Sequence, residues 1–110
     1  ELPAGSLENG ENPETGALRE LEEEIGAAAG KIEILTEFYV SPGFLSGKMF
    51  VFLATDLSET AQNLEADELL SIEKITFSQA FAMIRRGEFE DAKTIAGLIL
   101  AGAKLGFPFS

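Results

Sequence analysis

With 110 residues, 45% of them apolar, the chain has material for one hydrophobic core and not for two. Nineteen acidic against eight basic residues leave a net charge of −11. That excess argues against nucleic acid or an anionic membrane as a partner, since both need a basic footprint, and an anionic substrate would need metal ions in between. The chain has no cysteine and no histidine, so disulfides, thiolate sites and the usual zinc ligands are excluded, and acid–base chemistry falls to carboxylates. No apolar run approaches the roughly 18 residues of a membrane span and no signal-peptide pattern opens the sequence, so the expected location is cytoplasmic.

Residues 1–12 are rich in Gly, Pro and Asn and read as a loop. A helix follows with clear boundary signals. Asn12 suits the N-cap, Pro13 the first helical position, Glu14 the positive end of the dipole and Gly26 the left-handed stop. Gly16 is its one weak position, costing up to about 1 kcal/mol relative to alanine. After an Ala/Gly spacer, strands are expected at 31–40 and 48–55, the second apolar enough to be buried on both faces. Residues 56–71 are acidic and irregular, and 72–76 reads as a short strand leading to a capping box, Thr76 with Gln79, that opens a helix to about Arg85. The last helix is expected from about Asp91 to Ala103, with Ile95, Leu98, Ile99 and Leu105 at core spacing, before a tail that is packed or frayed.

The first helix carries the chemistry. At 100° per residue, Glu20, Glu23 and Glu24 share about 100° of arc, opposite Leu18, Leu21 and Ile25. Glu20 repels both Glu23 and Glu24 at i, i+3 and i, i+4, by a few tenths of a kcal/mol per pair in water. A bound cation would cancel that cost. Taken alone, the run also reads as a solvated helix face, because glutamate is a good helix former.

Longer range spacing separates the two readings. Gly5, five residues, Glu11, seven residues, Arg19-Glu20-Leu21, one residue, Glu23-Glu24, one residue, Gly26-Ala27 resembles the Nudix box, G-x5-E-x7-R-E-U-x-E-E-x-G-U with U a bulky aliphatic. All seven fixed residues are in place, and a chance match has odds on the order of one in a million. Ala27 departs from the pattern in size only. Three further segments resemble the ADP-ribose pyrophosphatase group of that superfamily: Glu1-Leu-Pro-Ala-Gly5, the loop Ser41-Pro-Gly-Phe44 with the strand Met49–Ala54, and Gly87 to Asp91-Ala-Lys-Thr94. Together they cover nearly the whole chain.

The resemblance implies an α/β/α Nudix sandwich with a mixed sheet, formed by residues 1–110 as one domain and incomplete on its amino-terminal side, with the box at 5–27. It implies Mg²⁺ or Mn²⁺ held by Glu20 and Glu24, aided by Glu23 and the backbone carbonyl of Ala4, with Glu20 also catalytic and with Glu11 and Arg19 orienting the ligands. Pro42, Gly43 and Phe44 would form the substrate loop. The general base would be Glu68, with Glu65 second, although the same acidic stretch also reads as a solvated loop. The implied reaction is hydrolysis of ADP-ribose to AMP and ribose 5-phosphate by attack of water at phosphorus. Another nucleoside diphosphate sugar or a dinucleotide is the alternative substrate, and a non-catalytic nucleotide-binding module the alternative function. The group carries a glutamate where this chain has Gly47, which removes a carboxylate from the substrate or metal region. Family members also have about half a domain before the Glu1–Gly5 segment, including part of the dimer interface. The expectation is therefore the carboxy-terminal part of a longer protein, associating as a homodimer or with an amino-terminal segment.

Overall fold

The protein is described by a computed structural model over residues 1–40, 47–60 and 72–110. Two compact units make it up, one of residues 3–70 and the other of residues 1–2 together with 71–110.

The first unit begins with a loop that runs into helix α1, Pro13–Ile25. Its ends are set by local chemistry. Asn12 has extended backbone and its Oδ1 accepts the Thr15 N–H at 2.8 Å, while Pro13 fills a position whose missing N–H costs nothing. Gly26 stops the helix at φ 65°, ψ 38°, a left-handed conformation that an L side chain resists, and its N–H closes the last turn on the Glu22 carbonyl. The buried Gly16 has a packing reason that offsets its poor helix propensity. A Cβ there would overlap the Leu7 side chain and approach the Glu11 carboxylate at 3.0 Å, so its absence lets the preceding loop lie on the helix.

Strand β1, Ala27–Tyr39, pairs antiparallel with β2, Lys48–Glu59, from Ala27 opposite Glu59 to Tyr39 opposite Lys48. The register shifts once, between Ile34 and Thr36, where β1 carries an extra residue. The strands are longer than expected. The Ala/Gly spacer 27–30 becomes strand because residues 57–59 pair with it, and Thr60 N–H extends the tie to the Gly26 carbonyl at 2.9 Å. Nor is β2 buried on both faces: Val51 is its one buried residue and Leu57 is exposed, because each strand has a single sheet neighbour among the described residues. The helices and this two-stranded sheet are the elements of an incomplete α/β fold of the expected kind.

In the second unit, residues 72–76 form no strand. Thr76 instead caps helix α2, Phe77–Arg85, as the box predicts: its hydroxyl accepts the Gln79 N–H at 3.0 Å and the Gln79 carbonyl oxygen accepts the Thr76 N–H at 2.8 Å. Helix α3, Ala92–Leu105, is capped by Asp91 and ends at the left-handed Gly106. Its buried face is made of small residues, Thr94, Gly97, Ala101 and Gly102, whereas Ile95, Leu98 and Ile99 are half-buried and Leu105 is exposed. Large rings come from elsewhere. Phe77 and Phe81 of α2 meet Phe107 and Phe109 of the tail at centroid distances of 5.4 and 5.3 Å, which fixes the tail as packed rather than frayed. Burying a ring such as Phe81 contributes about 2–3 kcal/mol, and a ring pair about 1 kcal/mol more.

Candidate active site

Arg19 gathers acids from the preceding loop and from the second half of α1 around itself. Its side chain is 21% exposed, and every guanidinium nitrogen is engaged. Nε and Nη2 donate to the two oxygens of Glu11 at 2.9 and 3.0 Å, a fork on a carboxylate that is itself 10% exposed. Nη1 donates to Glu20 at 2.9 Å and to Glu23 at 3.0 Å, and Nη2 also reaches the Ser6 carbonyl at 3.0 Å. Glu8 adds a looser ion pair at 3.5 Å. Glu11 in turn braces the loop, since its carboxylate accepts the Glu8 N–H and its own N–H donates to the Glu8 carbonyl, both at 3.0 Å.

The remaining glutamate of the face, Glu24, accepts the Ala4 N–H at 3.0 Å. Between these contacts lies Gly5, where a Cβ would overlap the Glu20 carboxyl group. Glycine at this position is therefore required by close approach of the loop backbone to a carboxylate, not by its own backbone conformation. The loop Ala4–Ser6 and the turn Arg19–Glu24 form one polar unit, and the spacing of the acids in the sequence serves it.

This geometry shifts the acid–base behaviour of the pair at its centre. The Arg19 hydrogen bonds, then the Glu8 amide, hold the Glu11 carboxyl down at about 2, and the same pairing raises the Arg19 guanidinium further above its ordinary range. A carboxyl with an ordinary value of 4.5 and a folded value of about 2 contributes its full stabilisation above pH 4.5 and loses it as pH falls through 2. The Arg19 Nε–H resonance should accordingly stay at its hydrogen-bonded position through pH 4.5 and move only near pH 2. A midpoint at the ordinary carboxylate value would remove the fork from the solution structure. In Glu11→Gln the acid transition in this window should vanish.

Of the residues singled out from sequence, the structure brings together Ala4, Glu11, Arg19, Glu20, Glu23 and Glu24. Ala4 contributes its N–H to Glu24, a contact that the expected carbonyl ligation did not anticipate. Glu65, Glu68, Pro42, Gly43 and Phe44 lie outside the described residues, and Gly47, exposed, precedes β2. Sequence reasoning missed the Ser6 carbonyl and Glu8. Backbone acceptors leave no compositional trace, but a lone arginine with five donors among eight acids in the first 24 residues signals that it has several partners.

Among the described residues no three acidic side chains are gathered closely enough to enclose a cation, because Arg19 draws in Glu20 and Glu23 while the Ala4 amide holds Glu24. The donor set nevertheless fits a hard divalent ion. It offers carboxylate oxygens one helical turn apart, beside a loop backbone that the absent Cβ of Gly5 allows to lie against them.

Comparison with known proteins agrees with this local architecture. The NUDIX domain family matches residues 1–98. An ADP-ribose pyrophosphatase of Bacillus subtilis (strain 168) is 47% identical over 96 residues, covering 86% of this chain and 52% of the relative. A GDP-mannose pyrophosphatase of Enterobacter sp. (strain 638) is 35% identical over 98 residues, covering 86% and 51%. Among solved structures, an ADP compounds hydrolase superposes with a TM-score of 0.73 at 26% identity, over 91% of this chain and 54% of that one. The chain thus spans about half the length of the curated relatives it matches. The glycine, arginine and glutamates whose contacts define the loop–helix unit fall inside the matched span, and the chain belongs to the NUDIX domain family.

Proposed function

We propose that the protein is a divalent-metal-dependent pyrophosphohydrolase acting on a nucleoside diphosphate linked to another moiety, with ADP-ribose the first candidate. The observation that carries this reading is the acidic face Glu20–Glu23–Glu24 set against the Ala4–Gly5 loop by Arg19. The ADP-ribose pyrophosphatase and ADP compounds hydrolase relatives support the substrate class. A GDP-mannose pyrophosphatase relative supports a second reading, another nucleoside diphosphate sugar.

Glu20 and Glu24, with Glu23 and the Ala4 carbonyl, would hold Mg²⁺ or Mn²⁺, whose charge would neutralise the pyrophosphate oxygens. The chain's own residues supply the rest. Arg19 and Glu11 keep the loop and the carboxylates in place, Pro42–Phe44 contact the substrate, and Glu68 takes the proton of the attacking water. Water oxygen bonds to phosphorus, the P–O bond of the bridge breaks, and the bridging oxygen leaves on the other phosphate, so ADP-ribose gives AMP and ribose 5-phosphate. The site of action in this reading is the cytoplasm; no helix among the described residues is long and apolar enough to cross a membrane. Exposed Ile34, Tyr39 and Leu57 on the hairpin support association, with residues 1–110 acting as one Nudix module in a homodimer or beside further sheet.

The test is a magnesium-dependent assay over ADP-ribose, GDP-mannose and a dinucleoside diphosphate, run in ¹⁸O-labelled water. AMP release from ADP-ribose with label on a phosphate product is expected. Label in a sugar hydroxyl would replace this chemistry with glycoside cleavage, and no product from any of the substrates with Mg²⁺ or Mn²⁺ would favour a binding module.

A further inference from the structure

Between Glu8 and Glu11, the two acids that reach Arg19 from the loop before α1, stands the dipeptide Asn9-Gly10, which the chemistry derived above does not use. It forms a tight turn. The Glu11 N–H donates to the Glu8 carbonyl at 3.0 Å and Gly10 has φ 79°, the β-turn arrangement whose third residue is left-handed and favours glycine. Both central residues are exposed, a Cβ at Gly10 would meet nothing within 4 Å, and neither the Asn9 carboxamide nor the Gly10 N–H has a hydrogen-bond partner among the described residues. A thermolabile side chain and an unblocked main-chain nitrogen therefore stand next to each other, open to water.

We propose that Asn9 is a site of spontaneous covalent modification, in which the Gly10 nitrogen displaces the side-chain amide and the product loosens the Glu8–Glu11 turn that holds Glu11 on Arg19. Hydroxide takes the Gly10 amide proton, the nitrogen bonds to Asn9 Cγ, and the Cγ–Nδ2 bond breaks as water returns a proton, so ammonia leaves and a five-membered imide remains. Water then opens the ring. Cleavage between the Gly10 nitrogen and Cγ gives aspartate, whereas cleavage between that nitrogen and the main-chain carbonyl carbon gives isoaspartate, whose chain runs through Cβ and Cγ. Amide and water become carboxylate and ammonium, with no change of oxidation state.

The sequence makes the reaction selective, since of the three asparagines Asn9 alone precedes a glycine. Asn12 precedes Pro13, whose ring nitrogen has no proton to lose, and its Oδ1 is held by the Thr15 N–H at 2.8 Å. Asn63 precedes Leu64, whose side chain crowds the attacking nitrogen. The consequence falls on Glu11, which meets the Glu8 backbone through both its N–H and its Oε1, at 3.0 Å each, and carries the Arg19 fork on the same carboxylate. Isoaspartate inserts one methylene into the main chain inside this turn, so the Glu8 carbonyl and the Glu11 N–H lose their register. Either product also adds a negative charge beside Glu8 and Glu11.

The test ages the chain at mildly alkaline pH beside Asn9→Ser, which has no carboxamide at this position, and a synthetic peptide of residues 6–12. Peptide mapping should show a mass gain of about 1 Da, oxygen for amide nitrogen, confined to the fragment that holds Asn9. Protein isoaspartate methyltransferase should label that same fragment, and conversion should quicken as pH rises. In the converted chain the Glu11 amide should exchange roughly 2- to 10-fold faster, the range of a single hydrogen bond, while the aged serine variant keeps its starting rate. A folded chain that holds its mass while the peptide converts would mean that the turn protects Asn9, and would overturn the proposal. Conversion that leaves Glu11 exchange unaltered would overturn it as well. Neither readout uses metal or substrate, so the outcome is independent of the proposed hydrolase activity.

Discussion

Glu24→Gln is expected to lower divalent-cation affinity and turnover together, by about 100-fold or more, because Glu24 is a metal ligand in the proposed reading and its loss should match or exceed the 10- to 100-fold typical of losing an outer partner of a metal site. The substitution isolates charge from architecture. Glutamine keeps a carbonyl oxygen that can accept the Ala4 N–H now donated to Glu24 Oε2, so the loop retains its contact. It also relieves the i, i+4 repulsion with Glu20, so the metal-free variant should melt at the wild-type temperature or slightly above it. A stable protein that has lost its cation is thus the expected combination. Calorimetry with Mg²⁺ and Mn²⁺, alongside a thermal melt, reads both parts. Undiminished cation binding in this variant would move the site off the α1 face.

Arg19→Leu should have the opposite thermal signature. It removes the one cation from among Glu8, Glu11, Glu20 and Glu23, leaving the Glu11 carboxylate, 10% exposed, without its fork, and the Ser6 carbonyl without its donor. The metal-free variant should melt lower than wild type, and activity should fall roughly 10- to 100-fold, as for other residues that orient ligands. Lysine should rescue little. A single ammonium cannot reproduce two parallel bonds to Glu11 together with those to Glu20 and Glu23. Added Mg²⁺ should raise the melting temperature of Arg19→Leu by more than that of wild type, since a bound ion would relieve the uncompensated acids. Wild-type kcat/KM in both arginine variants would reduce Arg19 to a surface ion pair.

The opposing signatures come from one arrangement in which an arginine and a cation would share the same carboxylates. Glu20 and Glu23 are hydrogen-bonded to Arg19 in the structure, so their orientation toward the loop is set before any ion arrives. The guanidinium offsets like-charge repulsion along the helix, and a hard cation would compete with it for Glu20 and Glu23. For Glu20 and Glu23, and through the Ala4 amide for Glu24, the structure shows what offsets the repulsion on this face.

Helix boundaries were open to reading from residues alone because their causes are local. Asn12 and Pro13 act within one turn of where they stand, Gly26 satisfies a conformational demand of its own backbone, and Thr76 and Gln79 close a box across four residues. The box acids were legible for the same reason, since helical periodicity converts spacing into a shared face. What lay beyond four or five residues needed the folded chain. Alanines and glycines at 27–30 have no preference that would announce a strand; they are one because residues 57–59 supply the partner. Residues 72–76 have the composition of a strand and lack a partner among the described residues. The small buried face of α3 is set by what packs on it rather than by the large residues that its periodicity brought forward. Gly5 could be recognised by pattern, but the overlap that makes it necessary involves Glu20, fifteen positions on, and Thr94 finds Leu2 across 92 positions. The residues by themselves determined which groups could do the chemistry and where the helices begin and end; tertiary structure decided which backbone amides and carbonyls those groups would meet, because a hydrogen bond depends on distance in space and a sequence records only order along the chain.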